Sequence, residues 1–394
     1  MTSWPARSGA RSTIRSEHVV IIGAGLMGAA IGRELRRRRP ELAVTLLERA
    51  IPGAEASSAA AGILGAQAEP DGPGPLLDLA LASRALWPDF AAAVTREAGL
   101  EVGYRACGLI EVGFSPADLD RLDHWARWMG DAGLGCERLD GAQVRRRLPA
   151  ASAAVRGGVW LRDEGAVEPR SLVPAVLAAA QAAGVVVVSG AVVIGLASDR
   201  GRVRGVDLVR AGGERDTLAA DHVVVAAGAW TDLVPGLPAC RTPVTPVRGQ
   251  LARLQPTGPV ALPCVLKAGT AYLVPRADGT VVVGATTEAV GFERGVTVNG
   301  LALLLAGAVR LLPALADAAV LEHWYGLRPH AGDGLPLLGP HADLAGLHLA
   351  SGLYRNGILL APVVAAIVAA GVLGEAPPLS GSAWLPEPYR KNTA

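Results

Sequence analysis

The sequence lacks the features that mark several large classes of function. Its four cysteines, Cys107, Cys136, Cys240 and Cys264, are widely spaced and form no CxxC pair, which argues against a zinc site or a disulfide framework and fits a reducing cytoplasm. No HExxH, no Ser/His/Asp set and no clustered carboxylates emerge, and the 7 histidines are scattered, so no metal is expected. The net charge is only +1, from 37 basic and 36 acidic residues, which gives neither nucleic acid nor an anionic membrane an electrostatic handle. A small-molecule substrate is expected instead. The one membrane candidate, residues 358–373, falls short of about 20 residues and contains Pro362, so it reads as a buried helix. Residues 1–17 carry Arg7, Arg11 and Arg15 without an apolar core, which reads as a flexible extension, with a transit peptide as the alternative.

What is present is a globular composition: 394 residues, 51% apolar and 19% charged, enough for two domains of about 100–200 residues each. Residues 18–22 form a β-branched run, glycines follow, and helix formers continue over 26–39 until Pro40. A second apolar run, 43–47, ends at Glu48, and strand, helix and strand together predict a parallel βαβ unit. Further helices are predicted over 76–99, 118–132 and 172–183, and strands over 103–113, 185–188, 203–209 and 222–226. Residues 242–284 alternate strands with Pro and Gly, as an antiparallel sheet does, and a last strand, 347–350, leads through Gly352 and Gly357 into a final helix ending near 371–374. The arginine runs 36–39 and 145–147 read as solvated helix faces. The fold class is therefore α/β: a Rossmann-like nucleotide domain from residues 18–103, 155–242 and 325–394, interleaved with a smaller α+β substrate domain from 104–154 and 243–324.

Gly23, Gly25 and Gly28 lie between the first strand and helix in GxGxxG spacing. The first suits a tight turn, the second lets backbone approach a pyrophosphate, and the third permits close packing. Glu48 stands where a carboxylate can accept hydrogen bonds from a ribose and would repel a 2′-phosphate, which disfavours NADP. This pattern predicts a dinucleotide site but does not separate NAD from FAD.

Other motifs do. The runs EASSAAAGIL (55–64), VAAGAW (225–230), GLRP (326–329) and YRNGILLAP (354–362) together resemble the D-amino acid oxidase superfamily. VRGQ (247–250), YLVPR (272–276) and GAT (284–286) bring the chain nearest to the glycine oxidases of thiamine biosynthesis, and the resemblance spans residues 18 to about 375. It implies non-covalent FAD and oxidation of glycine, sarcosine and D-alanine by molecular oxygen to an oxo acid, ammonia or an amine, and hydrogen peroxide. A homo-oligomer is also expected. Carried over by motif, Arg328 binds the substrate carboxylate, Tyr272 assists, and Arg355 lines the entrance or supports the carboxylate site. The FAD contacts implied are Leu26, Met27, Arg49, Ser57, Ser58, Ala60, Ala61, Gly62, Leu64, Val167, Ala227, Gly228, Trp230, Tyr354, Asn356, Gly357 and Ile358, with Arg328 and Arg355 beside them. Leu353 stands where relatives often have His, and Tyr325 where a small residue commonly precedes GLRP.

The residue types suit that chemistry. Arginine offers a planar fork that makes two charge-assisted hydrogen bonds to a carboxylate and stays charged at any working pH. The alternative for Arg328 is a structural cation before Pro329, and for Tyr272 an ordinary strand aromatic. Asn356 and Gly357 are read as opening the last helix toward the flavin, or as a plain turn. Hydride transfer from Cα to flavin N5 needs orientation more than an acid or base, which fits the missing acid–base set. The rival enzyme is an FAD dehydrogenase of D-amino or hydroxy acids that hands electrons to a quinone or carrier.

Overall fold

The computed structural model describes residues 17–240, 242–379 and Trp384. Of the expected N-terminal extension, residues 1–16 lie outside the described residues; Glu17 pairs with Arg39 at 2.7 Å. The chain begins as its apolar pattern predicts, with β1 (His18–Ile22), α1 (Leu26–Arg38) and β2 (Ala43–Glu48), the two strands parallel. Both strands are apolar on both faces because both faces are covered. Val19 and Ile21 pack toward α1, while Val20 and Ile22 pack toward a three-stranded sheet of Val192–Asp199, Arg202–Val209 and Arg215–Ala219.

β1 and β2 sit centrally in a six-stranded sheet. Its order is Leu337–Pro340, Leu347–Ser351, His222–Val225, β1, β2 and Val186–Ser189, parallel except for the antiparallel first pair. The predicted strands 185–188, 222–226 and 347–350 thus share one sheet. α1 packs between the helices Pro169–Ala182 and Ala361–Leu373. The last helix is the apolar run near the C-terminus, buried along almost its whole length, and each fully buried Val in it contributes roughly 1.5–3 kcal/mol. No described helix is long and apolar enough to cross a membrane.

The second region is an eight-stranded sheet ordered Ala319–Ala331, Val244–Gln255, Val281–Gly284, Ala271–Pro275, Val265–Ala268, Leu109–Gly113, Gly157–Leu161 and Glu137–Asp140. It is antiparallel apart from one parallel pair, Val265–Ala268 with Leu109–Gly113. Helix Val298–Leu311 covers one face and Pro116–Asp131 the other.

Several expectations change. Strand Gly157–Leu161 and the whole of Ala319–Ala331 belong to this sheet, so the sheet crosses the expected domain limits at 155 and 325. The predicted strand 103–113 shrinks to Leu109–Gly113, because Gly103 and Gly108 adopt φ of +67° and +74° and turn the chain. Helix Val298–Leu311 has no counterpart in the sequence reading, Gly300 and Gly307 diluting its pattern; Thr297 caps it by accepting the Gly300 N–H at 3.0 Å. The first arginine run is not simply solvated: Arg36 donates to the carbonyls of Ala183 and Leu42, both at 2.7 Å, and so ties α1 to two neighbouring turns.

Candidate active site

A cavity of about 410 Å³ opens between the two sheets. At one end lies the glycine turn. Gly23 has φ +105°, and a Cβ there would sit 2.5 Å from the Ala226 carbonyl oxygen, so only glycine fits. Glu48, at the carboxyl end of β2, accepts the N–H groups of Ala24 at 3.1 Å and Ala50 at 3.0 Å, which fixes its carboxylate at the mouth of the turn. Ser57, on the short helix Ala56–Ala59, accepts the Leu26 N–H at 3.0 Å, so the EASSAAAGIL run meets the start of α1. Arg49 stacks its guanidinium 4.0 Å over the Trp230 ring and walls the same end.

At the other end the wall is the eight-stranded sheet. Arg328 projects from strand Ala319–Ala331, where its register partner on the neighbouring strand is Val247. Gly249 follows on the same face, and a Cβ there would fall 2.2 Å from the Arg328 guanidinium, so the glycine makes room for the fork. Arg328 Nη1 donates to the Thr286 carbonyl at 3.0 Å. Among the described residues no carboxylate lies within ion-pairing range of it. Tyr272 is buried beside it; burial raises the phenol pKa while the neighbouring Arg328 and Arg355 guanidinium charges oppose that rise.

Arg355 arrives from a different segment. The Tyr354 N–H donates to the Pro329 carbonyl at 2.7 Å, and Tyr354 holds φ +45°, a strained value for a tyrosine. That turn brings Arg355 alongside the strand carrying Arg328. Arg355 Nε meets Glu69 Oε2 at 3.0 Å. Burial lowers the Arg355 pKa, Glu69 raises it, and the balance is upward.

Nearly all the expected site residues line this one cavity; Gly28, Ser58, Leu64 and Val167 do not. Gly28 lies beneath the turn against the Gly23 carbonyl and Leu46. Ser58 turns away, its hydroxyl donating to the Gly53 carbonyl at 2.6 Å, and Leu64 and Val167 are core residues. Asn356 and Gly357 line the cavity but do not open the last helix. That helix starts at Ala361, after a turn closed by the Leu360 N–H and the Asn356 carbonyl at 2.8 Å. Glu69 is the charged residue that the sequence reading passed over. Its ion pair with Arg355 spans most of the chain and leaves no local signal.

The sequence pattern of the FAD dependent oxidoreductase family (DAO) matches residues 18–370. The chain belongs to that family. It is 38% identical over 362 residues to the bifunctional protein ThiO/ThiG of Synechocystis sp., covering 91% of this chain and 52% of that one, so it spans about half the length of such bifunctional relatives. It is 36% identical over 353 residues to the glycine oxidase of Geobacillus kaustophilus, covering 89% of this chain and 91% of that protein. The crystal structure of glycine oxidase from Geobacillus kaustophilus superposes with a TM-score of 0.88 at 33% identity, covering 94% of this chain and 98% of that one. FAD is the family's cofactor, and the glycine turn, the carboxylate at the end of β2 and the continuous cavity fit a dinucleotide.

Proposed function

We propose that the protein oxidises glycine and small relatives such as sarcosine and D-alanine to an oxo acid, ammonia or an amine, and hydrogen peroxide. The observation that carries this reading is Arg328, a guanidinium without a carboxylate partner among the described residues, beside buried Tyr272 in the nucleotide cavity. In this reading the six-stranded sheet marks the FAD domain and the eight-stranded sheet the substrate domain. The Gly23 turn and Glu48 hold the dinucleotide, and the motif residues lining the cavity contact it. Similarity to proteins named glycine oxidase and ThiO/ThiG supports both the substrate class and a place in thiamine biosynthesis.

Bound FAD supplies the two-electron acceptor, which oxygen reoxidises. The protein's own part is orientation. Arg328 grips the substrate carboxylate through its fork, and the Tyr272 hydroxyl adds a hydrogen bond. The Cα is thereby held in one place, and holding reactants in a near-attack geometry can contribute about 7–11 kcal/mol. The Leu251 and Leu353 side chains keep that end of the cavity apolar and strengthen the charged contacts there. Oxygen as acceptor, a cytoplasmic setting and a homo-oligomer complete the proposal.

The test is aerobic turnover by the purified FAD-loaded protein. Glycine should yield glyoxylate, ammonia and peroxide in equal amounts. FAD-loaded protein that forms no peroxide from glycine, sarcosine or D-alanine overturns the reading, and reduction of a quinone in its place favours the dehydrogenase.

A further inference from the structure

The second inference rests on Arg328 as the carboxylate clamp and concerns the ion pair beside it. Among the described residues, six charged side chains line the cavity. Glu48, Arg49 and Glu55 belong to the end of β2 and the loop after it, whereas Glu69, Arg328 and Arg355 surround Tyr272. The two guanidinium groups at the Tyr272 end are not equivalent. Arg328 rests on a neutral carbonyl, that of Thr286 at 3.0 Å. Arg355 is held by a carboxylate, Glu69, at 3.0 Å, with side-chain exposures of only 23% and 18%.

This end of the cavity therefore offers one uncompensated positive charge. A substrate with a single carboxylate satisfies it. A second carboxylate would approach Arg355 and meet the Glu69 charge already there, in a partly dehydrated setting where like charges repel strongly. The turn at Tyr354 and its hydrogen bond to Pro329 fix the backbone from which Arg355 projects, and the contact with Glu69 holds its guanidinium at this place. We propose that Glu69 is a specificity-determining residue: by neutralising Arg355 it confines the site to amines bearing one carboxylate and excludes dicarboxylates.

The experiment compares glycine with iminodiacetate as substrates of the FAD-loaded enzyme. In parallel, unreactive acetate and malonate are titrated by calorimetry, with thermal melts to verify folding. The wild type should favour the monocarboxylate in both assays. Glu69→Gln should raise the dicarboxylate-to-monocarboxylate ratio by at least about tenfold in kcat/KM and in affinity. Glu69→Asp should keep the wild-type preference. Arg355→Gln, which leaves Glu69 unopposed, should move the ratio the other way. An unchanged ratio in folded Glu69→Gln overturns the proposal, and so does a gain of dicarboxylate binding in Arg355→Gln. Should Glu69→Gln fail to fold, the Arg355→Gln arm decides alone: a lower ratio supports the proposal, and an equal or higher one overturns it. If the wild type oxidises no amino acid, the oxidase reading fails, while the acetate and malonate titrations still decide the role of Glu69.

Discussion

The two ends of the cavity are built on opposite plans. The end proposed to hold the nucleotide comes mainly from β1, α1 and β2, neighbours in sequence, and presents the backbone of a glycine turn and one carboxylate anchored by two N–H groups. The other end, where the proposed function places the substrate carboxylate, draws Tyr272, Arg328, Arg355 and Glu69 from four separate segments and presents long charged side chains. Many weak backbone contacts tolerate the loss of one; a clamp made of one guanidinium does not. Damage at the first end should weaken cofactor retention, and damage at the second should cripple turnover with the cofactor still in place.

Arg328→Ala should break that comparison most severely. Losing the charge partner of a bound carboxylate costs about 2–5 kcal/mol, so kcat/KM for glycine should fall roughly 30- to several-thousand-fold. KM should rise and kcat fall together, because the clamp both binds and aims the substrate. Lysine should restore only part, having no fork. Any activity on a simple amine without a carboxylate should change little. Near wild-type kcat/KM with FAD retained would move the clamp to another residue, Arg355 first. Gly249→Ala is the subtler version: the added Cβ falls 2.2 Å from the guanidinium and must displace it. A misplacement of about 1 Å can cost about 100-fold in rate, so steady-state kinetics should show a loss of that order at full FAD occupancy. Unaltered kinetics would mean that Arg328 has room to shift without consequence.

At the opposite end, Glu48→Ala should spare chemistry and weaken the cofactor. One charge-assisted contact contributes about 1.5–3 kcal/mol, so the FAD dissociation constant should rise roughly 10- to 150-fold while kcat at saturating FAD stays near wild type. Fluorescence titration of the apoprotein measures the first and peroxide assay the second. An unchanged dissociation constant would place the ribose contact elsewhere.

The same contrast explains what could be read from the amino acids alone. The β1–α1–β2 unit follows from local pattern: β-branched runs, glycines at fixed spacing, helix formers stopped by Pro40. Arg328, Tyr272 and Arg355 stand out in the sequence only because each sits in a run that resembles a family motif, and the fold brings all three to one cavity. Glu69 sits in no such run, and its partner is far along the chain, so only the folded structure brings the pair together. Strand Ala319–Ala331 was hidden for another reason. Its residues are mostly half-buried and include Pro329, which a strand carries only at a sheet edge, and it forms one edge of the eight-stranded sheet. Val167, expected beside the cofactor, has its side chain buried in the core and does not line the cavity.

Two residues before Glu69, the segment leading to the carboxylate end rests on a carboxyl group whose effect on turnover should be the smallest of the four. Glu164 is fully buried, accepts the Gln67 N–H at 2.9 Å and meets Arg84 at 3.1 Å, yet its second oxygen has no hydrogen-bond partner among the described residues. Burial outweighs those contacts and pushes its pKa up to about 7 from 4.5. A carboxyl group with a raised folded pKa binds more protons folded than unfolded across that window, so its contribution to stability declines as pH rises from about 4.5 to about 7. The total change is at most roughly 3.5 kcal/mol, at about 1.4 kcal/mol per pKa unit. Glu164→Gln keeps an acceptor for Gln67 and Arg84 but cannot titrate, so any packing cost it brings is the same at every pH. Thermal or denaturant unfolding of both proteins from pH 5 to 8 should therefore show the variant gaining on the wild type as pH rises, with most of the gain complete slightly above neutrality. Stability curves that stay parallel over the whole range would show that Glu164 keeps its charge in the folded protein, held by Arg84, and that the segment leading to Glu69 is anchored by an ion pair at every working pH.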